Sequence, residues 1–361
     1  MTCPPQRGPL WCRLETVKPI SSHIWERAMV MKKFINDPEN IVKELLEGYA
    51  LAFPDKITLV GDYLVARARP KAKGKVGLVS LGGSGHEPGH IGYVGKGLLD
   101  ICVPGEIFAA PGPPRCLDAI RRADRGAGVL FIVGNHASDV LTAKLTMEMA
   151  KKEDLNVKMV LNHEDIASGP REKPEERRGL VGFLPLYKVA GAAAEEGKSL
   201  NEIYKIAERF SANMCTLAVA VSPATHPSTG TTLFELGDDE MEIGMGSHGE
   251  AGLKRMKLKS ADQTAEIMLQ QLLDDLKVRA GEQLLVILSG AGATTLMELF
   301  IIFRRMGQVL SAKKIKIARS LIGEIITTQE QAGFQMFIGR VDEHLLGLWD
   351  APCDSPYLTL R

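Results

Sequence analysis

The sequence has no net charge and no long hydrophobic run. Its 44 Lys and Arg residues balance its 44 Asp and Glu residues. A neutral chain offers no general attraction to nucleic acids or anionic membranes, so we predict neither as a partner. No apolar stretch approaches the roughly 18 residues that a membrane-spanning helix needs. The composition is therefore that of a soluble globular enzyme.

Paired cysteines and closely spaced metal ligands are also absent from the sequence. The six cysteines are scattered, and no two of them form a Cys-X-X-Cys pair. This pattern favours reduced thiols in the cytoplasm over a disulfide framework or a zinc site. The histidines include no HExxH motif, and we predict no bound metal.

A glycine-rich run over residues 81–97, LGGSGHEPGHIGYVGKG, is the strongest local signal. It follows residues 75–80, whose apolar pattern predicts a buried strand. The run is not a P-loop, because Lys96 precedes a glycine, and it lacks the third glycine of a dinucleotide fingerprint. Glycines at a strand end can present backbone N–H groups to a small polar ligand. The residues predicted to do so are Gly83, Ser84 and Gly85.

A chain of 361 residues is too long for one ordinary core, so we expect two domains. We place the first over residues 31–212, with the glycine-rich loop, and the second over 213–361. Residues 1–30 lack periodicity and the apolar core of a signal peptide. They indicate an N-terminal extension or a misplaced start codon, and a genuine flexible tail is an equally good interpretation.

Strand-like and helix-like segments alternate through the chain. Apolar runs over 128–133 and 157–161 predict buried strands, and residues 139–152 between them predict an amphipathic helix. This order implies parallel strands with ligand loops at their carboxyl ends. The charged segment 170–178, PREKPEERR, indicates a solvated surface excursion in preference to a lid. The predicted fold class is α/β, with two α/β domains and mostly parallel or mixed sheets.

Three side chains that could carry chemistry follow predicted strands: His86, Asp139 and His248. His and Asp in one pocket can divide the work of nucleophile, orienting group and general base. Each also has a purely structural interpretation, since a histidine in a glycine-rich turn often bonds only backbone, and Asp139 could be a helix N-cap. His90 and His136 lie near these residues and have weaker claims.

Five segments resemble the dihydroxyacetone kinase family, and in particular its ketose-binding K subunit. They are GGSGHEPGHIGYVGKGLLD, GAGVLFIVGNHASDV, GAAAEEGKSL, FELGDDEMEIGMGSHGEAG and GAGATTLMEL. The similarity extends from about residue 31 to the C-terminus. It implies a two-domain α/β subunit, usually a homodimer, with the active site between the domains.

The resemblance also implies roles for the candidate residues. The histidine of the family's His-Gly-Glu motif, here His248, bonds through a ring nitrogen to the substrate carbonyl and forms a hemiaminal. The Gly-Gly-Ser-Gly-His motif places a backbone glycine and a histidine on the substrate, here Gly83 and His86. The family's aspartate base corresponds to Asp139 and deprotonates the hydroxyl group that is phosphorylated.

The resemblance further accounts for the missing nucleotide motif. Family members that use ATP directly carry a separate helical nucleotide-binding domain. We therefore expect a free K subunit that binds no cofactor itself and needs a separate L subunit carrying ADP or ATP with Mg²⁺. In phosphotransferase-dependent systems of the family, a further protein recharges that nucleotide.

The sequence departs from the family pattern near the predicted base. A lysine that contacts the phosphorylated end of the substrate is replaced by Gly134. In an ordinary dihydroxyacetone kinase subunit, His136 or Lys144 could replace that cation. Gly134 and Ala137 also remove side-chain volume and could admit a four-carbon ketose such as erythrulose. A third interpretation is a ketose sensor without turnover that partners a transcription regulator. Because all three candidate residues are retained, we favour a kinase subunit.

Overall fold

The structure is a computed structural model that describes residues 32–361. Residues 33–361 form one compact unit. The predicted N-terminal extension over residues 1–30 lies outside the described residues. None of the described helices has the length and apolar character that crossing a membrane requires.

The first half of the described chain forms a six-stranded sheet. Its strands are β1 (Ile57–Val60), β2 (Leu64–Arg67), β3 (Gly77–Ser84), β4 (Ile101–Ile107), β5 (Val129–Gly134) and β6 (Val157–Asn162). They lie in the order β1-β2-β4-β3-β5-β6. The last four of these are parallel neighbours, and the β1–β2 hairpin extends the sheet in the antiparallel sense. The carboxyl ends of the parallel strands therefore meet at one edge.

Helices cover both faces of this sheet. They are α1 (Ile41–Ala52), α2 (Pro113–Ala123), α3 (Ala137–Lys152), α4 (Phe183–Glu195) and α5 (Leu200–Ser211). Successive side chains of a strand point to opposite faces. On β5, Phe131 and Val133 belong to the core under α2 and α3, whereas Leu130 and Ile132 belong to the core with α4 and α5.

The second half forms another six-stranded sheet. Its strands are β7 (Met214–Ser222), β8 (Glu240–Ile243), β9 (Lys254–Lys257), β10 (Gln283–Gly290), β11 (Lys316–Glu324) and β12 (Ala332–Arg340). They lie in the order β11-β10-β12-β7-β8-β9, and only the β10–β11 pair is parallel. Three helices and a short hairpin complete this half: α6 (Ala261–Leu276), α7 (Leu296–Ala312), α8 (Glu343–Asp350), and β13 (Cys353–Asp354) with β14 (Thr359–Leu360).

Helix α4 lies in a core that the two sheets share. Every residue from Phe183 to Ala194 is buried, and the same core contains side chains of β5 and β10. Lys188 is also enclosed, and its Nζ donates a hydrogen bond to the Leu348 carbonyl oxygen at 2.8 Å. A helix that is buried on all sides is held by both sheets at once.

The predicted fold class is confirmed, since two mixed sheets with helices make up the described chain. The boundary at residues 212 and 213 falls between α5 and β7, with one sheet on each side. The division into two domains stays a prediction. Strand β12, in the middle of the second sheet, is absent from the sequence interpretation.

Strand β3 ends later than the sequence predicts. It continues through Ser84, so Gly82 and Gly83 are strand residues. A side chain at Gly82 would place Cβ 2.4 Å from the His90 ring, and one at Gly83 would place it 2.7 Å from the backbone nitrogen of residue 109. Close packing requires these two glycines, whereas Gly85, just after the strand, has a left-handed φ of 99°.

The charged segment 170–178 is anchored to the second half of the chain. Arg171 and Arg177 both bond to the carboxylate of Asp275 on α6. Arg177 is buried, so the prediction of a solvated excursion is wrong for this residue. A carboxylate shared by two guanidinium groups explains why a Pro-containing charged segment takes a defined path.

We predict that Gly191→Ala destabilises the protein although alanine favours helices. An added Cβ at Gly191 of α4 would lie 2.3 Å from the backbone oxygen of Gly97, and overpacking of this kind costs about 1–3 kcal/mol. Gly307→Ala on α7 is the matched control, because nothing lies within 4 Å of its added Cβ. It should raise the free energy of unfolding by up to about 1 kcal/mol. Equal effects of the two variants in urea denaturation would contradict the close packing of α4.

Candidate active site

The structure brings the three predicted residues together. His86, Asp139 and His248 line one small cavity at the edge where both sheets end. The end of β3 and the start of α3 reach the cavity from the first half of the chain, and the turn after β8 reaches it from the second half. The cavity volume is about 40 Å³. One water needs roughly 10–15 Å³, so the cavity suits a molecule of only a few heavy atoms.

The ring of His86 is held in one tautomer. Its Nδ1 lies 2.7 Å from the Thr327 carbonyl oxygen, and because a carbonyl only accepts, Nδ1 carries the proton. Burial and the neighbouring His248 lower the pKa of His86 well below its usual range. The neutral ring therefore presents a bare Nε2, which lies 3.0 Å from Nε2 of His248.

His248 is paired with Glu250 in a tight turn. The His248 backbone N–H donates to Glu250 Oε2 at 2.9 Å, and the ring Nδ1 lies 3.4 Å from Oε1. Burial alone would raise the pKa of Glu250, but the hydrogen bond and charge of His248 outweigh it and hold the pKa below its usual range. Because Nε2 of His86 bears no proton, the 3.0 Å contact between the two rings is a hydrogen bond that Nε2 of His248 donates.

Asp139 is a buried carboxyl in the first turn of α3. The helix begins at Ala137 and His136 occupies the cap position, so the N-cap interpretation of Asp139 is wrong. Burial raises the pKa of Asp139 to about 7, and the nearby His248 opposes this shift. A carboxyl with a pKa near neutrality is suited to exchange protons with a substrate hydroxyl.

His90 and His136 also line the cavity, although sequence reasoning assigned them weaker claims than the three main candidates. Burial lowers the pKa of both to about 4, so both rings are neutral at pH 7. His90 Nδ1 lies 2.7 Å from the Tyr187 hydroxyl, and His136 Nε2 lies 2.8 Å from the Gly179 carbonyl oxygen. Their position next to the predicted residues in sequence was the available signal.

The glycine-rich segment contributes less of the cavity wall than its sequence suggests. Gly83 lines the cavity, whereas Ser84 and Gly85 do not. The Ser84 hydroxyl donates to the Gly105 carbonyl oxygen at 2.7 Å, and the Gly85 N–H donates to Glu87 Oε1 at 3.0 Å. Both groups therefore support the loop itself.

No lysine or arginine among residues 32–361 lines the cavity. Lys144 is exposed on α3, and His136 is neutral at pH 7. Neither residue therefore supplies, at the cavity wall, the positive charge that the family lysine would provide. Ala137 is likewise exposed and removes no volume from the cavity wall.

One group of side chains has atoms placed as metal ligands would be. Ligand atoms of His136, His248 and Glu250 lie within 4.8 Å of one another. The sequence contains no spacing that predicts this group, because its members come from the cap position before α3 and from the turn after β8. His136 Nε2 and both Glu250 oxygens already bond within the protein, so a cation would compete with these contacts.

The chain is similar to known proteins over most of its length. The Dak1 domain family matches residues 47–357. The PTS-dependent dihydroxyacetone kinase 1, dihydroxyacetone-binding subunit DhaK, of Listeria innocua is 37% identical over 90% of this chain and 99% of its own length. The L-erythrulose kinase of Pectobacterium atrosepticum is 33% identical over 90% of this chain and 56% of its own length.

Two solved structures share the fold. The dihydroxyacetone kinase operon co-activator Dha-DhaQ matches with a TM-score of 0.83 and 29% identity, over 88% of this chain and 98% of that one. The dihydroxyacetone kinase of C. freundii matches with a TM-score of 0.82 and 27% identity, over 91% of this chain and 60% of that one. With the match across residues 47–357, these similarities show that the chain belongs to the Dak1 domain family.

Proposed function

We propose that this protein is the ketose-binding subunit of a dihydroxyacetone kinase-type phosphotransferase. The observation that carries this proposal is the 3.0 Å approach of the His248 and His86 Nε2 atoms beside Asp139 in a cavity of about 40 Å³. A nucleophilic nitrogen, a proton acceptor and a carboxyl base together suit a short hydroxyketone. The dihydroxyacetone-binding relative from Listeria supports the same substrate class.

In the proposed binding step, His248 forms a hemiaminal with the ketose. Nε2 of His86 accepts the proton of His248 Nε2, and the freed Nε2 lone pair of His248 forms a bond to the carbonyl carbon. The C=O π pair moves to the oxygen, which takes the proton from His86, so the net charge of the site does not change. A small ketose offers few atoms for ordinary contacts, and a covalent bond adds affinity that glycerol, which has no carbonyl, cannot obtain. The bare Nε2 of His86 is placed to accept a hydrogen bond from the new hydroxyl group.

In the proposed transfer step, Asp139 takes the proton of the hydroxyl group that attacks the phosphorus. Its pKa of about 7 makes about half of the groups available as base at neutral pH. Phosphoryl transfer depends mostly on positioning and on stabilisation of charge, so a weak base suffices.

The phosphoryl donor in this proposal is a nucleotide on another protein. ATP or ADP with Mg²⁺ is held by a separate L subunit, since the glycine-rich run has neither P-loop nor dinucleotide spacing. The Listeria relative is named as a subunit of a PTS-dependent dihydroxyacetone kinase, which supports a donor recharged by the phosphotransferase system. By family resemblance, the protein is a cytoplasmic homodimer.

A ketose sensor without turnover is the second candidate. Two observations favour it: the co-activator structure has the same fold over 88% of this chain, and the described cavity wall has no cation. Loss of a donor that stabilises developing charge can lower a rate by about 10²–10³. Retention of His86, Asp139 and His248 favours the kinase subunit.

We predict that His248 makes the covalent bond. Dihydroxyacetone labelled with ¹³C at its carbonyl should show a tetrahedral-carbon NMR signal when it binds the native protein. His248→Ala should abolish this signal and weaken binding by about tenfold or more, because ordinary contacts to so few atoms give little affinity. His344→Ala on α8, an exposed histidine, is the control. An unchanged tetrahedral signal in His248→Ala would contradict the assignment.

We predict phosphorylation with a rate that rises through pH 7. The protein, a nucleotide-binding L subunit, ATP and Mg²⁺ are mixed with dihydroxyacetone, and product is measured by mass spectrometry. Asp139 must be ionised to accept a proton, so the rate should increase as pH rises through its pKa of about 7. Asp139→Asn should lower the rate by about 10²–10⁴. Absence of product together with the tetrahedral adduct would favour the sensor.

We predict that Asp139 lowers stability at high pH. Its pKa is raised from 3.8 to about 7 in the folded protein, so the folded state holds its proton more tightly than the unfolded state. The stability from this group is present below the unfolded pKa and is lost as pH rises through the folded pKa. The native protein should therefore lose stability between acidic pH and about pH 8, whereas Asp139→Asn should not. Over this range the difference in unfolding free energy should shift by about 1.4 kcal/mol or more in favour of Asp139→Asn. The exposed Asp55→Asn control should show no such shift.

A further inference from the structure

We propose that Phe183 selects the ketose. Its ring fills the space beside Gly134 and closes the cavity with an uncharged wall. This wall favours an uncharged three-carbon ketose over a four-carbon ketose and over a ketose phosphate. The inference rests on the proposed function and names the substrate class of the same site. It also reverses the sequence expectation that Gly134 enlarges the cavity.

The contact between Phe183 and Gly134 leaves no room for another side chain. Phe183 is the first residue of α4, is buried and lines the cavity. A Cβ built on Gly134 would lie 2.6 Å from Cζ of the Phe183 ring and 3.3 Å from Cε2. Carbon atoms pack at about 3.5–4.0 Å, so any residue larger than glycine at position 134 requires the ring to move.

The ring is held in place from two sides. His90 meets it edge-on, with ring centroids 4.5 Å apart at 85°, and Tyr187 lies one helical turn along α4 with a centroid distance of 5.7 Å. Hydrogen bonds join the His90 ring to the Tyr187 hydroxyl and that hydroxyl to Ser80. Edge-to-face packing in a fully buried cluster resists rotation of the ring.

The charges around the cavity disfavour an anionic ligand. Phe183 occupies the space that a side chain at position 134 would enter. Three histidines that line the cavity, His86, His90 and His136, are neutral at pH 7. Asp139 contributes a partial negative charge. Transfer of a phosphate group into such surroundings costs its hydration without a compensating cation. A ketose phosphate should therefore bind weakly, whether it arrives as a ligand or forms as the product.

The first experiment tests the size limit imposed by Phe183. Dissociation constants for dihydroxyacetone and erythrulose are measured by calorimetry with native protein, Phe183→Ala and the milder Phe183→Leu. Both variants should shift the affinity ratio towards erythrulose, Phe183→Ala by about tenfold or more. Phe131→Leu on β5 is the control, because its ring packs in the core on the opposite face of the sheet. An unchanged ratio in both folded Phe183 variants would overturn the proposal.

The second experiment tests the contact itself. Gly134→Ala should weaken dihydroxyacetone binding by about tenfold, because the added methyl group displaces the ring into the cavity. The double variant Gly134→Ala/Phe183→Leu should recover most of that affinity. Wild-type affinity in folded Gly134→Ala, or no recovery in the double variant, would contradict the contact.

The third measurement tests the charge argument and distinguishes failure of the proposed function from failure of the Phe183 inference. Native protein should bind dihydroxyacetone phosphate at least about tenfold more weakly than dihydroxyacetone, because burial of an unpaired charge is unfavourable. Equal affinities would overturn the uncharged-wall argument. If native protein forms no ketose adduct, the proposed function fails. If the adduct forms but the Phe183 variants leave the ratio unchanged, only this inference fails.

Discussion

Helix α4, buried between the two sheets, positions the site. Each face of this helix packs on a different part of the shared core, and Gly191 lets its backbone approach the glycine-rich loop closely. The helix therefore cannot slide or rotate independently of either sheet. Its first turn delivers Phe183 to the cavity wall and its second places the Tyr187 hydroxyl under His90. A helix buried on one face only would not fix both contacts.

The site combines low charge with one poised carboxyl group. Burial keeps the surrounding histidines neutral and raises the pKa of Asp139 to about 7. The burial that raises the pKa of Asp139 also opposes folding when the group ionises. If Asp139 is the base that we propose, function and stability are in conflict at this residue, as is common where a pKa is tuned for chemistry. The Glu250 carboxylate lies at the rim and holds the turn of His248 without this cost, because its pKa is lowered.

The departure from the family pattern at Gly134 makes physical sense together with the ring of Phe183. Gly134 looks like a lost side chain in the sequence, and a lost side chain suggests a larger cavity. In the structure the ring of Phe183, which comes from a helix 49 residues further along the chain, occupies that space. A wall of this kind replaces a charge by an aromatic surface and leaves the cavity small. Position 134 and position 183 therefore have to be considered together.

The fold class, the glycine-rich strand end and the three candidate residues could all be predicted from the sequence. Strong apolar periodicity and ordered motifs carry that information locally. Sequence patterns predict the ends of elements less well, as with β3, and they do not predict β12. Three contacts become visible only in the folded chain. His86 and His248, 162 residues apart, meet at 3.0 Å, Arg177 is buried against Asp275, and Phe183 fills the space beside Gly134. These are contacts between distant segments, and their distances depend on how two sheets pack around α4, which no local pattern of residues encodes.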